Sequence, residues 1–146
     1  METIDHFRGK YGFLSNMSPS PMTMKVPGSN QEIIFPTVEH YYVAMKSMRL
    51  DDWVRISQIA NPGEAKRAGR RLLIRQDWDK IKLTVMEQAL RAKFRIPELR
   101  DKLLATDDVM LIEGNTWNDT FWGMCRGVGH NHLGRLLMAI RHELRT

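Results

Sequence analysis

Glu39, Tyr42, Val43 and Lys46 stand at i, i+3, i+4 and i+7, along one side of a predicted helix. A carboxylate and an amine so placed are the parts of acid–base and nucleophilic chemistry. Glu39 falls in the first turn, where the helix dipole favours a carboxylate whether or not it is catalytic. Lys46 lies two turns later. It either loses charge by desolvation and becomes nucleophilic, or keeps its ammonium in water above an apolar stem. A second cluster is the aperiodic stretch Glu113-Gly-Asn-Thr-Trp-Asn-Asp-Thr-Phe-Trp-Gly123. Its aromatic rings form either a stacking surface for a flat ligand or a core for the loop itself. Asp119, near Trp122, is a candidate acid, base or acceptor for ribose hydroxyls. A third cluster sets Lys66, Arg67, Arg70, Arg71 and Arg75 against the single Glu64. Lys66 with Arg70, and Arg67 with Arg71, are i, i+4 pairs that either grip phosphate or form a solvated basic face.

Other chemistries lack their parts. His6, His40, His130, His132 and His142 contain no helical i, i+4 ligand pair, so no metal site is expected. Cys125 is the single cysteine, which excludes an intramolecular disulfide and a cysteine-cluster zinc site. Gly127-Val-Gly129 lacks the strand, helix and third glycine of a dinucleotide fingerprint. No phosphate loop and no nucleophile elbow occur, and no cofactor is expected.

The elements that must position these residues follow from local signals. Short extended pieces are expected at Tyr11–Ser15, Met22–Val26 and Glu32–Phe35, with a turn at Pro27-Gly28-Ser29-Asn30. Thr37 is expected to cap a helix from Val38 to about Leu50, and Asp51 or Asp52 a second ending before Asn61. Asn61-Pro62-Gly63-Glu64 starts a third, to about Ile74. Asp77 opens a longer one from Trp78 to about Phe94, with Ile81, Val85, Met86, Ala89 and Leu90 on its apolar stripe. Pro97 starts a short helix through Leu104. Val109–Glu113 is a strand candidate, and Gly114–Gly129 reads as irregular. Asn131 is expected to cap a last helix whose core face is Leu133, Leu136, Leu137, Ile140 and Leu144. The fold class is mainly α with a small β component (α+β), in one domain over residues 1–146.

Composition bounds the function. The chain of 146 residues is 42% hydrophobic and 27% charged, ordinary for a globular domain. Lys and Arg outnumber Asp and Glu by 22 to 17, a net +5, which suits a polyanionic or phosphate-bearing partner. No apolar run is long enough to span a membrane, and the polar N-terminus does not read as a signal peptide. The expected location is cytoplasmic.

Five ordered motifs carry a resemblance. They are Phe7-Arg-Gly-Lys-Tyr-Gly-Phe-Leu-Ser-Asn16; Phe35-Pro-Thr-Val-Glu-His-Tyr-Tyr42 with Ala44 and Lys46; and Pro62-Gly-Glu-Ala-Lys-Arg-Ala-Gly-Arg-Arg71 with Asp77-Trp78 and Lys82. Then come Glu113-Gly-Asn-Thr-Trp117 with Asp119-Thr-Phe-Trp-Gly123, and Gly129-His-Asn131 with Leu133-Gly134 and Leu137-Met138. Together they resemble the NADAR (NAD- and ADP-ribose-associated), or YbiA-like, family over nearly the whole chain. Met17 and Tyr42-Val43 depart from the family wording, which often has an aromatic residue at the first position and Gln at the last.

The resemblance implies a compact fold of the family's own and cleavage of N-glycosidic bonds to ribose. One branch removes ADP-ribose from modified guanine in DNA, and its wording is the nearer. Another hydrolyses phosphoribosylamino intermediates of riboflavin synthesis. Carried over by motif, Glu39 stabilises charge at the sugar or acts as base, Lys46 attacks C1 through an imine, and Asp119 orients hydroxyls or relays a proton. Ser15 and Asn16 bind sugar. Tyr11, Phe13, Trp78 or Trp122 stack on a base. Arg8, Lys66 and Arg70 meet phosphate. Tyr42, Gly123 and Asn131 complete the substrate-binding set. Two rivals of other classes are a non-turnover ADP-ribose or NAD binding module and a nucleic-acid-binding domain with no active site, which predicts a steep salt dependence and no product.

Overall fold

Helices dominate the computed structural model, which describes residues 2–146, and the strands are few and short, matching the expected α+β class. The chain divides into two units: Asn16–Lys93, and the residues up to Ser15 together with Phe94–Thr146.

In the Asn16–Lys93 unit, β1 of the hairpin (Met22–Lys25) pairs antiparallel with β2 (Glu32–Phe35), with Met22 opposite Phe35. Gly28 (φ 75°) supplies the left-handed residue of the connecting turn, as its Pro-Gly signal predicts. Helix α1 (Val38–Ala44) follows, with the Thr37 side chain accepting from the His40 amide at its start. All of α1 is buried, because α2 (Leu50–Ser57), α3 (Pro62–Gly69) and α4 (Trp78–Lys93) pack around it. Asn61 caps α3 as expected, its Oδ1 accepting from the Gly63 and Glu64 amides at 2.7 and 3.2 Å. The predicted stripe of α4 holds: Val85, Met86, Ala89 and Leu90 are buried and Ile81 is half-buried.

Three helix bounds differ from expectation. Helix α1 stops at Ala44, not Leu50, because Ser47 turns the chain. Its Oγ accepts from the Arg49 amide and donates to Asp52, and its carbonyl accepts from Trp53 Nε1. Asp51 and Asp52 lie inside the first turn of α2 rather than capping it. Helix α3 ends at Gly69 instead of Ile74. Gly69 is packed so closely that a Cβ there would sit 2.7 Å from Val43 Cγ1.

In the other unit, β3 (Thr3–Ile4) pairs parallel with β4 (Met110–Leu111), and β5 (Gly114–Asn115) with β6 (Met124–Cys125). The predicted strand at 109–113 thus shrinks to two residues, and the stretch read as irregular contains two paired strands. Tyr11–Ser15 is not extended. Residues Gly9–Leu14 form a 3₁₀ turn, which Gly9 enters at φ 59° and local bonds close, among them Tyr11 N to Arg8 O at 3.0 Å. Helix α5 (Pro97–Leu104) matches its prediction, and α6 (His132–Leu144) buries Leu133, Leu137 and Ile140. Asn131 precedes α6 but its side chain makes no cap. At φ 52° it points back into the unit, accepting from Glu113 N at 3.0 Å and donating to Leu111 O at 2.9 Å.

Candidate functional site

The predicted site residues fall into two groups, one in each unit. In Asn16–Lys93, the first turn of α1 presents Glu39. Its carboxylate is buried and its amide donates to the Asn16 carbonyl at 3.1 Å. Beside it the His40 ring is clamped. Its Nε2 lies 2.7 Å from the Ile59 carbonyl, and its Nδ1 lies 2.7 Å from Thr37 Oγ1. The carbonyl can only accept, so Nε2 carries the proton and the Thr37 hydroxyl serves Nδ1. Burial holds His40 below its usual value, which keeps the ring neutral. Helix α1 is therefore tied to the segment that leads into α3.

Lys46 lies beyond the end of α1, in the tightened turn where its amide donates to Val43 O at 3.1 Å. Its own carbonyl accepts from the Arg75 amide at 2.8 Å. Arg75 in turn forks onto Asp77, at 2.6 and 3.1 Å, just before α4. That pair of bonds holds the Asp77 carboxyl below the usual carboxylate range. The Lys46 side chain turns back over α1, with its ammonium 5.5 Å from the centroid of the Tyr42 ring. Tyr42 meets Trp78 with ring centroids 5.0 Å apart.

The electrostatics of Lys46 follow from this packing. Half-burial pushes its pKa below the ordinary lysine range. Glu39 pulls it back up, and Lys66, Arg70 and Lys82 push it further down. One amine thus feels one carboxylate and three cations from α3 and α4. Helical spacing singled out Glu39, Tyr42, Lys46, Lys66 and Arg70, and the family resemblance added Trp78; their interactions bring them together here. Lys82 was absent from the predicted set. Its signal was the i, i+4 spacing from Trp78, which puts both on one side of α4. The bonds from His40 to the Ile59 carbonyl and from the Arg75 amide to the Lys46 carbonyl also had no local signature, since their partners lie 19 and 29 residues away. Asn16, predicted to bind sugar, donates from Nδ2 to Met86 Sδ at 3.6 Å, while its Oδ1 is buried with no hydrogen-bond partner.

In the other unit, Asp119 organises its own loop. Its Oδ1 accepts from the Phe121 and Trp122 amides at 3.2 and 3.0 Å, and Asn115 binds its backbone on both sides. Trp122 is half-buried, with Phe121 edge-on at 4.8 Å. Gly123 permits a close approach, because a Cβ there would lie 2.0 Å from Glu113 O. Asn131 bonds backbone with both ends of its amide, as described above. Arg8 is exposed, and Tyr11, Phe13 and Ser15 are half-buried on or beside the 3₁₀ turn. Among the described residues, no group of three or more His, Cys, Asp or Glu side chains is placed to hold a metal ion, and no helix is long and apolar enough to cross a membrane.

Known proteins resemble this chain over nearly its whole length. The NADAR domain family model matches residues 5–145. The solution structure of YbiA from Escherichia coli is 38% identical and superposes with a TM-score of 0.81, covering 99% of this chain and 87% of that one. The Escherichia coli protein named N-glycosidase YbiA is 41% identical over 138 residues, 92% of this chain and 82% of its own length. A maize protein named for riboflavin biosynthesis, the chloroplastic PYRR, is 40% identical over 149 residues. That match spans 92% of this chain but 23% of the maize protein.

Proposed function

This chain belongs to the NADAR family, and from that membership we propose that it is an N-glycosidase that hydrolyses a bond between ribosyl C1 and nitrogen. The match runs through both units, which supports reading residues 1–146 as one NADAR domain. The observation that carries the proposal is the pairing of a buried carboxylate with a half-buried amine: burial pushes the Lys46 pKa below the ordinary lysine value, and Glu39 acts on it in the opposite direction.

The chemistry uses that pair. The unprotonated Lys46 amine attacks C1 and the C1–N bond breaks, the departing nitrogen taking the proton that the amine loses; the C1–O4 bond then opens to the protonated imine, O4 taking a proton from the Glu39 carboxyl or from water. Water then hydrolyses the resulting imine and frees Lys46. Glu39 stabilises positive charge as it develops at C1 and acts as acid or base in turn. Lys66 and Arg70 hold a phosphate of the substrate, and Tyr42 and Trp78 present rings to it. Asp119 orients ribose hydroxyls.

Two substrates fit this reaction. ADP-ribosylated guanine in DNA rests on the wording of the first and fourth motifs, and the net +5 charge suits such a polyanion. A phosphoribosylamino intermediate of riboflavin synthesis is favoured by the name of the maize relative. Incubation with each substrate, with separation of free ADP-ribose or free ribose phosphate from the released base, distinguishes them. We expect turnover of one and at least ~100-fold less in Glu39→Gln and Lys46→Ala. Binding without product on both substrates would make the chain a recognition module instead.

A further inference from the structure

Lys93 is the last residue of α4, and it is fully buried. Its ammonium donates to Ser18 Oγ at 3.0 Å. The chemistry proposed above leaves this lysine unused. An amine taken out of water costs more than a hydrophobic side chain of similar volume would at the same place, so stability is a poor reason for it. What the lysine can do there is decide where an irregular segment lies.

That segment is residues 16–20, which form neither helix nor strand. Hydrogen bonds tie it to elements on two sides. On the side of α4, Met86 and Lys93 stand seven residues apart, two turns along the helix. Asn16 Nδ2 donates to Met86 Sδ at 3.6 Å, and Ser18 Oγ accepts from Lys93. On the side of α1, the Ser20 amide donates to the Pro36 carbonyl at 2.9 Å, and the Asn16 carbonyl accepts from the Glu39 amide at 3.1 Å. Pro36 and Glu39 flank the cap residue Thr37 in sequence, so the segment runs along the entry to α1.

The bond to Glu39 matters most for chemistry. The first amides of a helix have no acceptor within it. Thr37 Oγ1 serves the amide of His40, and the Asn16 carbonyl serves that of Glu39. The place of that carbonyl therefore helps to fix the main chain from which the Glu39 side chain projects. We propose that Lys93 is a positioning residue for Glu39. Through Ser18 it sets where the 16–18 segment lies, and through the Asn16 carbonyl it sets where the first turn of α1 holds the carboxylate. The placement is independent of the glycosidase reading, and its consequence for turnover rests on that reading.

The Lys46 amine reports where Glu39 is, because Glu39 raises its pKa while Lys66, Arg70 and Lys82 lower it. Loss of a cation at Lys93 could by itself only raise that pKa, whereas loss of the hold on Glu39 should lower it. NMR of isotope-labelled lysine side chains, titrated with pH in the full chain without substrate, reads the sign. The Lys46 signal is the one absent from Lys46→Ala. Lys93→Met, which removes the amine and keeps a long side chain, should move the Lys46 midpoint to lower pH, and so should Ser18→Ala. Ser18→Thr keeps the hydroxyl and should keep the natural midpoint. In a Glu39→Gln background, Lys93→Met should move nothing further. An unchanged or raised midpoint in folded Lys93→Met or Ser18→Ala, or an equal shift in the Glu39→Gln background, would overturn the proposal. If Lys93→Met melts too early to titrate, Ser18→Ala carries the same test.

Turnover then separates this proposal from the glycosidase reading. Lys93→Met should lower kcat at least ~tenfold with KM nearly unchanged, since a displaced carboxylate is missed in the transition state. A lowered Lys46 midpoint with natural turnover would keep the positioning role and remove Glu39 as the acid–base group. Absence of turnover in the natural chain would sink the glycosidase reading and leave the titration as it stands.

Discussion

The Lys46 ammonium lies 5.5 Å from the centroid of the Tyr42 ring, one helical turn before it in sequence. The amine lies past the end of α1, yet its side chain folds back along the helix toward Glu39. Its main chain is fixed by the bond from the Arg75 amide, and Arg75 is itself clamped to Asp77. The ring, the strut and the surrounding cations together hold an amine that water solvates only in part.

A change at Glu39 should therefore move the titration of Lys46. Among the charges of the described residues named above, Glu39 is the one that raises the Lys46 pKa. Glu39→Gln should lower that pKa further, so borohydride trapping of a substrate adduct on Lys46 should begin at lower pH even as turnover drops at least ~100-fold. Lys66→Ala and Arg70→Ala remove charges that lower it, and should shift the onset to higher pH. Peptide mass spectrometry across a pH series reads each shift. Identical onsets in all three variants would separate Lys46 from Glu39.

Lys93 should make stability depend on pH. It is fully buried, its ammonium donates to Ser18 Oγ at 3.0 Å, and burial brings its pKa down to about 7. In the unfolded chain the value is the ordinary 10.5. Between these two values the unfolded chain binds the extra proton, so stability rises with pH across that window. Lys93→Met removes the titration. The stability of the natural protein relative to Lys93→Met, measured by urea unfolding, should climb from pH 7 toward pH 10. A flat difference would contradict the depressed value.

Asn131→Ala should be strongly destabilising. It leaves the Glu113 amide and the Leu111 carbonyl without their partner and puts alanine at φ 52°. The two lost bonds and the left-handed backbone together suggest a loss of about 2–4 kcal/mol. Urea unfolding measures it. An unchanged unfolding midpoint with weakened substrate binding would instead return Asn131 to the binding set.

Trp122→Ala should weaken substrate binding by about 1–3 kcal/mol, the scale of a ring stacked on a base. A binding titration alongside a thermal melt separates this from a packing role with Phe121. A folded variant with full affinity would remove Trp122 from the site.

What was legible in the sequence was whatever local bonding decides. Asn61 and Pro62 start α3 through hydrogen bonds within three residues, and the stripe of α4 reports burial through the helical period alone. The chemical types at Glu39, Lys46 and Asp119 were equally plain, as was the motif order that marks the family. The tertiary structure decided the rest, because the deciding partners lie far along the chain. The β3–β4 ladder joins Thr3 to Met110 over two residues each, too short for any alternating pattern. Asn131 has the right type for a cap, yet its left-handed backbone sends the amide to Glu113 and Leu111. Lys46 was expected within a helix to Leu50, but Ser47 ends that helix by bonding forward to Asp52 and Trp53. Its reactivity likewise depends on desolvation and on cations from α3 and α4, and those act through space only once the helices have packed around α1.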